Sequence, residues 1–76
     1  MRVVTFNVED YTRVLFPSGR VMSEGNIIEG KRDGVWRFWH ERGGLKEVGH
    51  YLMGEKVGRW RYWDENGEFL FKIEYT

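Results

Sequence analysis

A pattern of glycine and tryptophan recurs every 24 residues along this chain. The segment from Gly25 to Gly43 is answered by the segment from Gly49 to Gly67. The residues that recur unchanged one period later are Gly25, Gly30, Gly34, Trp36, Arg37, Trp39, Glu41 and Gly43. A fixed period of this length is typical of architectures in which each unit is one supersecondary element that packs against its neighbour. Repeat proteins mostly present surfaces to other molecules, so the pattern favours a binding function.

Size and composition indicate one small domain that spans residues 1–76. A chain of this length buries only about 60% of the surface that its unfolded form exposes. The sequence has no cysteine, so neither disulfides nor thiolate metal sites supplement the core, and a reducing compartment is expected. Aromatic residues compensate, since they make up 17% of the chain and each buries roughly 150–250 Å².

Charge and hydropathy argue against a general nucleic-acid binder and against a membrane protein. The 12 basic and 12 acidic side chains cancel, whereas a nucleic-acid binder normally carries a basic excess. The amino-terminal segment from Met1 to Asp10 is too short and too polar for a signal peptide. No run approaches the roughly 20 apolar residues of a membrane span. We therefore expect a soluble cytoplasmic protein.

Short aromatic and β-branched runs separated by glycine indicate strands joined by tight turns. The strongest turn signal is Asn66-Gly67, because a type I′ turn needs positive φ at both central residues. We predict an all-β fold, an antiparallel meander of successive hairpins in a single twisted sheet. The predicted strands lie near residues 2–8, 11–16, 21–28, 35–40, 45–52, 59–64 and 69–75. The predicted organisation is an amino-terminal strand within 1–10, a degenerate half repeat at 11–24, one repeat at 25–48 and a second at 49–76.

The expected turns fix which side chains share a face of the sheet. Two-residue turns centred at 18–19, 42–43 and 66–67 would pair Phe16 with Val21, Phe38 with Glu47, and Tyr62 with Phe71. One face, termed the first face, is then nearly all apolar and is expected to be buried. It carries Val14, Phe16, Val21, Ile27, Trp36, Phe38, Leu45, Tyr51, Trp60, Tyr62, Phe69, Phe71, Ile73 and Tyr75.

The opposite face, termed the second face, is mixed, and its apolar members are expected to form one row across the sheet. That row contains Leu15, Met22, Trp39, Trp63 and Leu70. Arg13, Arg37 and Arg61 lie two residues earlier on the same strands as Leu15, Trp39 and Trp63. A β-bulge in any strand would invert part of this assignment.

Two stretches resemble the MORN repeat superfamily, and more closely its bacterial MORN-variant branch. The family pattern runs Gly-x-x-x-Gly-x-Trp-x-x-Tyr/Trp, then a turn carrying Asn-Gly, then Leu-x-x-x-Gly-x-Tyr. The matching residues are Gly30 to Trp39 with Gly43, Leu45, Gly49 and Tyr51, and Gly54 to Trp63 with Asn66 and Gly67. The resemblance covers about residues 11–76 and implies successive β-hairpins that serve as a scaffold or interaction module. Some bacterial MORN-variant proteins are labelled antitoxins of toxin–antitoxin pairs. The chain departs from the family in having barely two complete units, and in carrying Thr12 where the amino-terminal unit would carry Trp.

The residues that most often carry chemistry do not converge in the expected register, so we predict no catalytic, metal or cofactor site. His40 and His50, the only histidines, fall on opposite faces about 17 Å apart. Glu41, Glu65 and Asp64 flank hairpin tips and are assigned turn and solubility roles rather than the facing carboxylates of a glycosidase. No phosphate-binding glycine motif precedes a helix.

The four tryptophans fall into two pairs. Trp36 and Trp60 head the apolar first face and are assigned to the core, with Gly49 opposite Trp36 to leave room for its indole. Trp39 and Trp63 either form a second small cluster or present a ligand surface. Exposed Trp beside Arg is the composition of interface hot spots. Single-stranded nucleic acid would use the same residues, but the neutral net charge disfavours it.

The sequence thus predicts a small interaction module that binds a macromolecular partner, most simply a protein. The predicted partner-binding residues are Trp39, Trp63, Arg37, Arg61, Leu15, Met22 and Leu70. An antitoxin-like or phage-type inhibitor role is a specific form of this hypothesis. The alternative is a structural repeat protein that forms a homodimer or larger homo-oligomer without a separate ligand. A lipid-surface module is disfavoured, because the chain has no basic amphipathic helix and no polybasic cluster.

Overall fold

The computed structural model of this protein describes residues 9–76, which form β-strands and no helix. The strands are β1 (Glu9–Leu15), β2 (Val21–Ile28), β3 (Lys31–Trp39), β4 (Leu45–Leu52), β5 (Glu55–Trp63) and β6 (Phe69–Tyr75). The strand predicted at 2–8 lies outside the described residues.

The six strands form one antiparallel sheet in the order of the sequence, which confirms the predicted all-β meander. The described part of the chain extends 49 × 35 × 10 Å. Because all six strands belong to one sheet, the shortest of these extents is the thickness of a single twisted layer. No second layer of the described residues covers either face, so every buried side chain must be buried by its neighbours within the sheet.

Two connections are tighter than the sequence suggested. β2 joins β3 through Glu29 and Gly30, whose φ angles are 51° and 83°, and β4 joins β5 through Met53 and Gly54, at 48° and 92°. Positive φ at both central residues defines the type I′ hairpin turn. As a result β3 and β5 begin four residues before the predicted 35 and 59. These turns were not predicted, because Glu and Met rarely adopt positive φ.

The three turns that the sequence did locate have three-residue loops, so the predicted two-residue type I′ turns are wrong there. At the last of them, Gly67 N–H donates to the carbonyl of Asp64 and Asp64 N–H donates to the carbonyl of Glu68. The same two bonds recur at 16–20 and 40–44. A type I turn followed by a glycine at positive φ is the usual geometry of such loops, and φ is 88° at Gly67.

A β-bulge follows each of these loops and corrects the register. Met22, Lys46 and Leu70 are each the unpaired extra residue, since pairing passes from Leu15–Val21 to Val14–Ser23 and likewise at the two later hairpins. Beyond the bulge, Phe38 pairs with Glu47 and Tyr62 with Phe71, as predicted. The predicted pair of Phe16 with Val21 is wrong, because Val21 pairs with Leu15.

The bulges also move three apolar residues to the other face. Val21, Leu45 and Phe69 were assigned to the first face, but they pair with Leu15, Trp39 and Trp63 respectively. Directly paired residues share a face of a sheet, so all three belong to the second face. The Phe69 and Trp63 rings meet edge to face with centroids 5.9 Å apart.

Trp36 and Trp60 form the centre of the core, as predicted, with 1% and 0% of their surfaces exposed. Between the pairs Glu24–Arg37 and Asn26–Asp33, β3 has three residues where β2 has only Gly25, and the indole of Trp36 lies over that glycine. The same irregularity places Trp60 over Gly49. Gly49 does pair with Trp36 across the strands, but the space that it leaves holds the other indole, contrary to the sequence analysis.

Hydrogen bonds and edge-on aromatic contacts complete the burial of the two indoles. Trp36 Nε1 donates to the carbonyl of Asn26 at 2.9 Å, and Trp60 Nε1 donates to that of His50 at 3.0 Å. Tyr51 stands between the two rings and meets both edge to face. Every polar atom of the indoles is therefore satisfied within the sheet.

Cationic side chains cover the aromatic cluster where a second layer would otherwise lie. The Arg32 guanidinium lies 4.9 Å from the Trp36 ring centroid, and Lys56 Nζ lies 4.4 Å from that of Trp60. Cation–π attraction and the apolar stems of these side chains both favour this arrangement. The cover is incomplete, since Val14, Phe71 and Ile73 are exposed, Phe71 by 49%. The expectation that the whole first face is buried is therefore wrong.

Replacing either core tryptophan should strongly destabilise the fold. We expect Trp36→Ala and Trp60→Ala each to lower the free energy of unfolding by about 3–5 kcal/mol, the range for buried aromatic truncation. Trp39→Ala and Trp63→Ala should cost clearly less, because these rings are only partly buried. Urea denaturation followed by circular dichroism measures all four. The opposite ranking would contradict the assignment of faces.

The glycine under each indole gives a sharper test. A Cβ at Gly49 would lie 2.1 Å from a Trp60 ring atom, so Gly49→Ala must displace the ring and should cost about 1–3 kcal/mol. Gly44→Ala is the matched control, because a Cβ there meets nothing within 4 Å and φ is not positive. The control should change stability by less than about 0.5 kcal/mol. Equal losses at both positions would show that the indole does not need the glycine.

Candidate functional site

One row of side chains crosses the second face from β1 to β6 and is predominantly basic. Successive residue pairs connect Arg13, Glu24, Arg37, Val48, Arg61 and Lys72, one from each strand, and we term this set the basic row. Neighbouring strands lie about 4.8 Å apart, so Arg37 and Arg61 are separated by about 10 Å. Both are exposed, and neither forms an ion pair within residues 9–76. Glu24 supplies the one carboxylate of the row.

A second row, termed the tryptophan row, lies two residues further along the same strands. It consists of Leu15 with Val21, Trp39 with Leu45, and Trp63 with Phe69. Trp39 and Trp63 are partly buried, whereas Leu15 and Phe69 are exposed. The indoles therefore lie beside the guanidinium groups of the basic row, on a face that no second layer of residues 9–76 covers.

The bulges change the predicted membership of the tryptophan row. Met22 and Leu70 were expected in it, but both are unpaired bulge residues, and Val21 and Phe69 hold the paired positions. Of the predicted partner-binding residues, the register thus brings Trp39, Trp63, Arg37, Arg61 and Leu15 into two adjacent rows. Met22 and Leu70 lie next to the row without pairing across it.

A groove that the sequence did not indicate lies between the loops at 16–20 and 40–44. Its volume is about 440 Å³, and it is lined by Arg13, Gly19, Arg20, Val21, Glu24, Trp39 and Gly43. Arg20 reaches across it to donate to the carbonyl of Arg42. Arg13 Nε lies 2.9 Å from Glu24 Oε1 on its floor. The groove thus continues both rows at their β1 end and adds a further guanidinium group.

Lys56, Glu47 and Tyr62 form a polar cluster on the first face, and its role is to stabilise the fold. Lys56 Nζ donates to Glu47 Oε2 at 3.3 Å and to the Tyr62 hydroxyl at 3.2 Å. Partial burial lowers the pKa of Lys56, but the hydrogen bond to Tyr62 and the charge of Glu47 outweigh it and raise the pKa above 10.5. Burial and a hydrogen bond with Tyr75 raise the pKa of Tyr62 above 10. Lys56 is therefore held in its charged form over the Trp60 ring.

The histidines and turn carboxylates occupy separate places in the fold. His40 directly follows β3, and its Nε2 donates to the carbonyl of Trp63 at 2.9 Å, whereas His50 is exposed within β4. Asp64 has the predicted turn role, since its Oδ1 accepts the backbone N–H groups of Asn66 and Glu68. Within residues 9–76 no three His, Cys, Asp or Glu side chains come together as a metal site.

The part of the chain that the structure describes contains no helix long and apolar enough to cross a membrane. No family model, no curated protein and no solved structure matches the chain.

Proposed function

We propose that this chain is a protein-interaction module whose contact surface consists of the basic row and the tryptophan row of the second face. The observation that carries the proposal is that partly buried indoles and exposed guanidinium groups lie in adjacent rows of one face. Tryptophan and arginine are the residues most enriched at interface hot spots. The MORN-like resemblance supports the same function.

The two rows would contribute to binding in different ways. A partner that covers Trp39 and Trp63 would complete the desolvation of rings that the sheet buries only in part, which supplies affinity. Arg37 and Arg61, about 10 Å apart, would pair with acidic groups of the partner and fix its orientation. The zero net charge of the chain favours a protein over a nucleic acid, because the basic groups form a local row rather than a general excess.

Truncation of the tryptophan row should weaken binding without unfolding the chain. With the partner identified by co-purification and then produced in pure form, we expect Trp63→Ala to reduce affinity by at least about 2 kcal/mol, a hot-spot value. Arg61→Ala should reduce it by less and should flatten its salt dependence. Isothermal titration calorimetry at two salt concentrations measures both effects.

Leu52→Ala is the matched control for this experiment. Leu52 is 60% exposed and lies beside the Met53–Gly54 turn, at the opposite end of β4 from Leu45 of the tryptophan row. Its truncation should leave affinity nearly unchanged. If Leu52→Ala weakens binding as much as Trp63→Ala does, the contact surface is elsewhere.

The second candidate function is self-association, and the composition of β6 favours it. Four large apolar residues of this strand, Phe69, Leu70, Phe71 and Ile73, are exposed, and β6 is an edge strand of the sheet. Exposed apolar edge strands readily pair with other chains. An isologous dimer through β6 would pair the backbone of this edge and bring the four residues beside their counterparts on the second copy.

Sedimentation equilibrium at micromolar concentration distinguishes the two functions. Self-association predicts twice the mass of the chain, and Phe71→Lys should return it to a monomer by placing a charge on the edge. A monomer in the unmodified protein would reject self-association and leave the second face as the interaction surface. The same substitution at Phe38 would not serve as a control for Phe71→Lys, because Phe38 packs on the core and its replacement would destabilise the fold.

A further inference from the structure

The groove between the first two three-residue loops differs from its counterpart one period later. Adding 24 to each lining residue leads to Arg37, Gly43, Gly44, Leu45, Val48, Trp63 and Gly67. Arg20 is therefore replaced by Gly44, and Glu24 by Val48. The hairpin backbone tolerates either set of side chains, so its fold does not require a guanidinium at 20 or a carboxylate at 24.

The polar groups of the groove form a partly built anion site. The Arg20 contact with the carbonyl of Arg42 uses one of the five N–H donors of its guanidinium and holds the side chain across the groove. Glu24 is only 15% exposed and is already engaged by Arg13. Arg37 lies beside Glu24 on the next strand. Arg13, Arg20 and one carboxylate, Glu24, thus line the groove, and Arg37 pairs with Glu24 across the strands, so positive charge is in excess at this place.

The remaining walls suit a polypeptide rather than a bare ion. Trp39 and Val21 line the groove with apolar surface next to the guanidinium groups. A volume of about 440 Å³ lies in the range of small-molecule sites, so it can admit one or two side chains. A carboxylate side chain next to an apolar one therefore matches the lining in both charge and hydrophobicity.

We propose that this groove receives an acidic segment of a protein partner, with one carboxylate bound by Arg20 and Arg13 and the adjoining apolar group against Trp39. Arginine binds carboxylates through two parallel N–H···O bonds, which favours such a ligand over a lone halide or a neutral amide. The inference rests on the proposed function, because the groove adjoins both rows and would extend their contact surface.

Poly-L-glutamate of about 20 residues is a suitable probe, and nuclear magnetic resonance is a suitable measurement. We expect saturable shifts of the Trp39 indole N–H and of the Arg20 Nε–H signal. Arg20→Gln should weaken binding about tenfold, equivalent to about 1.4 kcal/mol. Arg20→Gly, which introduces the residue found at the equivalent position 44, should weaken it at least as much while the chain keeps the circular dichroism spectrum of the folded sheet.

Arg59→Gln is the matched control, since it removes the same charge from an arginine that is already paired with Glu74. It should leave the affinity for poly-L-glutamate within about twofold of the original, because the pair is screened and distant from the groove. Equal loss in Arg59→Gln and Arg20→Gln would mean diffuse attraction and would overturn the proposal. Shifts confined to Trp63, or no saturable binding, would also overturn it.

Two further results separate this proposal from the proposed function. If Trp63→Ala weakens binding of the protein partner while Arg20→Gln leaves it unchanged, the two rows bind the partner and the groove does not. If Arg20→Gln weakens it while Trp63→Ala has no effect, the groove is retained and the row surface is rejected. Tighter binding of oligothymidylate than of poly-L-glutamate of the same length would assign the groove to nucleic acid and overturn the acidic-segment proposal.

Discussion

The contact on which the fold depends is an indole lying flat on a glycine of the neighbouring strand. Residues 9–76 form one layer, and no opposing layer among them covers its side chains, so within this part of the chain a large ring is buried against the sheet itself. Trp36 over Gly25 and Trp60 over Gly49 achieve this, because the absence of a Cβ lets each ring approach the backbone. Burial of one indole contributes about 4–6 kcal/mol before entropy costs. Two such contacts therefore provide much of the stability available to a chain of this size.

The sixth strand differs from β2 and β4 at the position of this glycine. β6 stands where β4 would stand one period earlier, and Ile73 takes the place of Gly49. Ile73 pairs with Trp60 and carries a Cβ where Gly25 and Gly49 have none, so β6 offers no bare backbone on which the indole of a neighbouring strand could lie. Addition of a further strand in the same geometry is therefore blocked by a side chain. An association through β6 must instead use its exposed apolar side chains or its free backbone edge.

The sequence predicted the sheet and its two core tryptophans, because both follow from periodicity and from the spacing of glycine. It did not predict the turns at 29–30 and 53–54, where Glu29 and Met53 adopt a conformation that their side chains disfavour. Neither did it reveal the bulges at Met22, Lys46 and Leu70, whose side chains resemble those of ordinary strand residues. Two errors partly cancelled, since each bulge offset the extra loop residue and restored the predicted register beyond it. The groove could have been suspected from one signal, the replacement of Arg20 and Glu24 by Gly44 and Val48 in an otherwise similar unit.

The bulges, which the sequence did not predict, also shape the surface that we propose as functional. By transferring Val21, Leu45 and Phe69 to the second face, they place an apolar neighbour beside Leu15, Trp39 and Trp63. Each bulge lies next to a three-residue loop that needs a glycine at positive φ. The loop and its bulge together therefore determine which apolar side chains lie on this face. The first face is constrained by the requirement to bury two indoles. On the second face the side chain varies between positions that are 24 residues apart. One such set is Leu15, Trp39 and Trp63, and another is Glu24 and Val48, and the hairpin is the same in each case. That freedom lets the first hairpins carry Arg20 and Glu24 in a charged groove, while the equivalent positions one period later hold Gly44 and Val48.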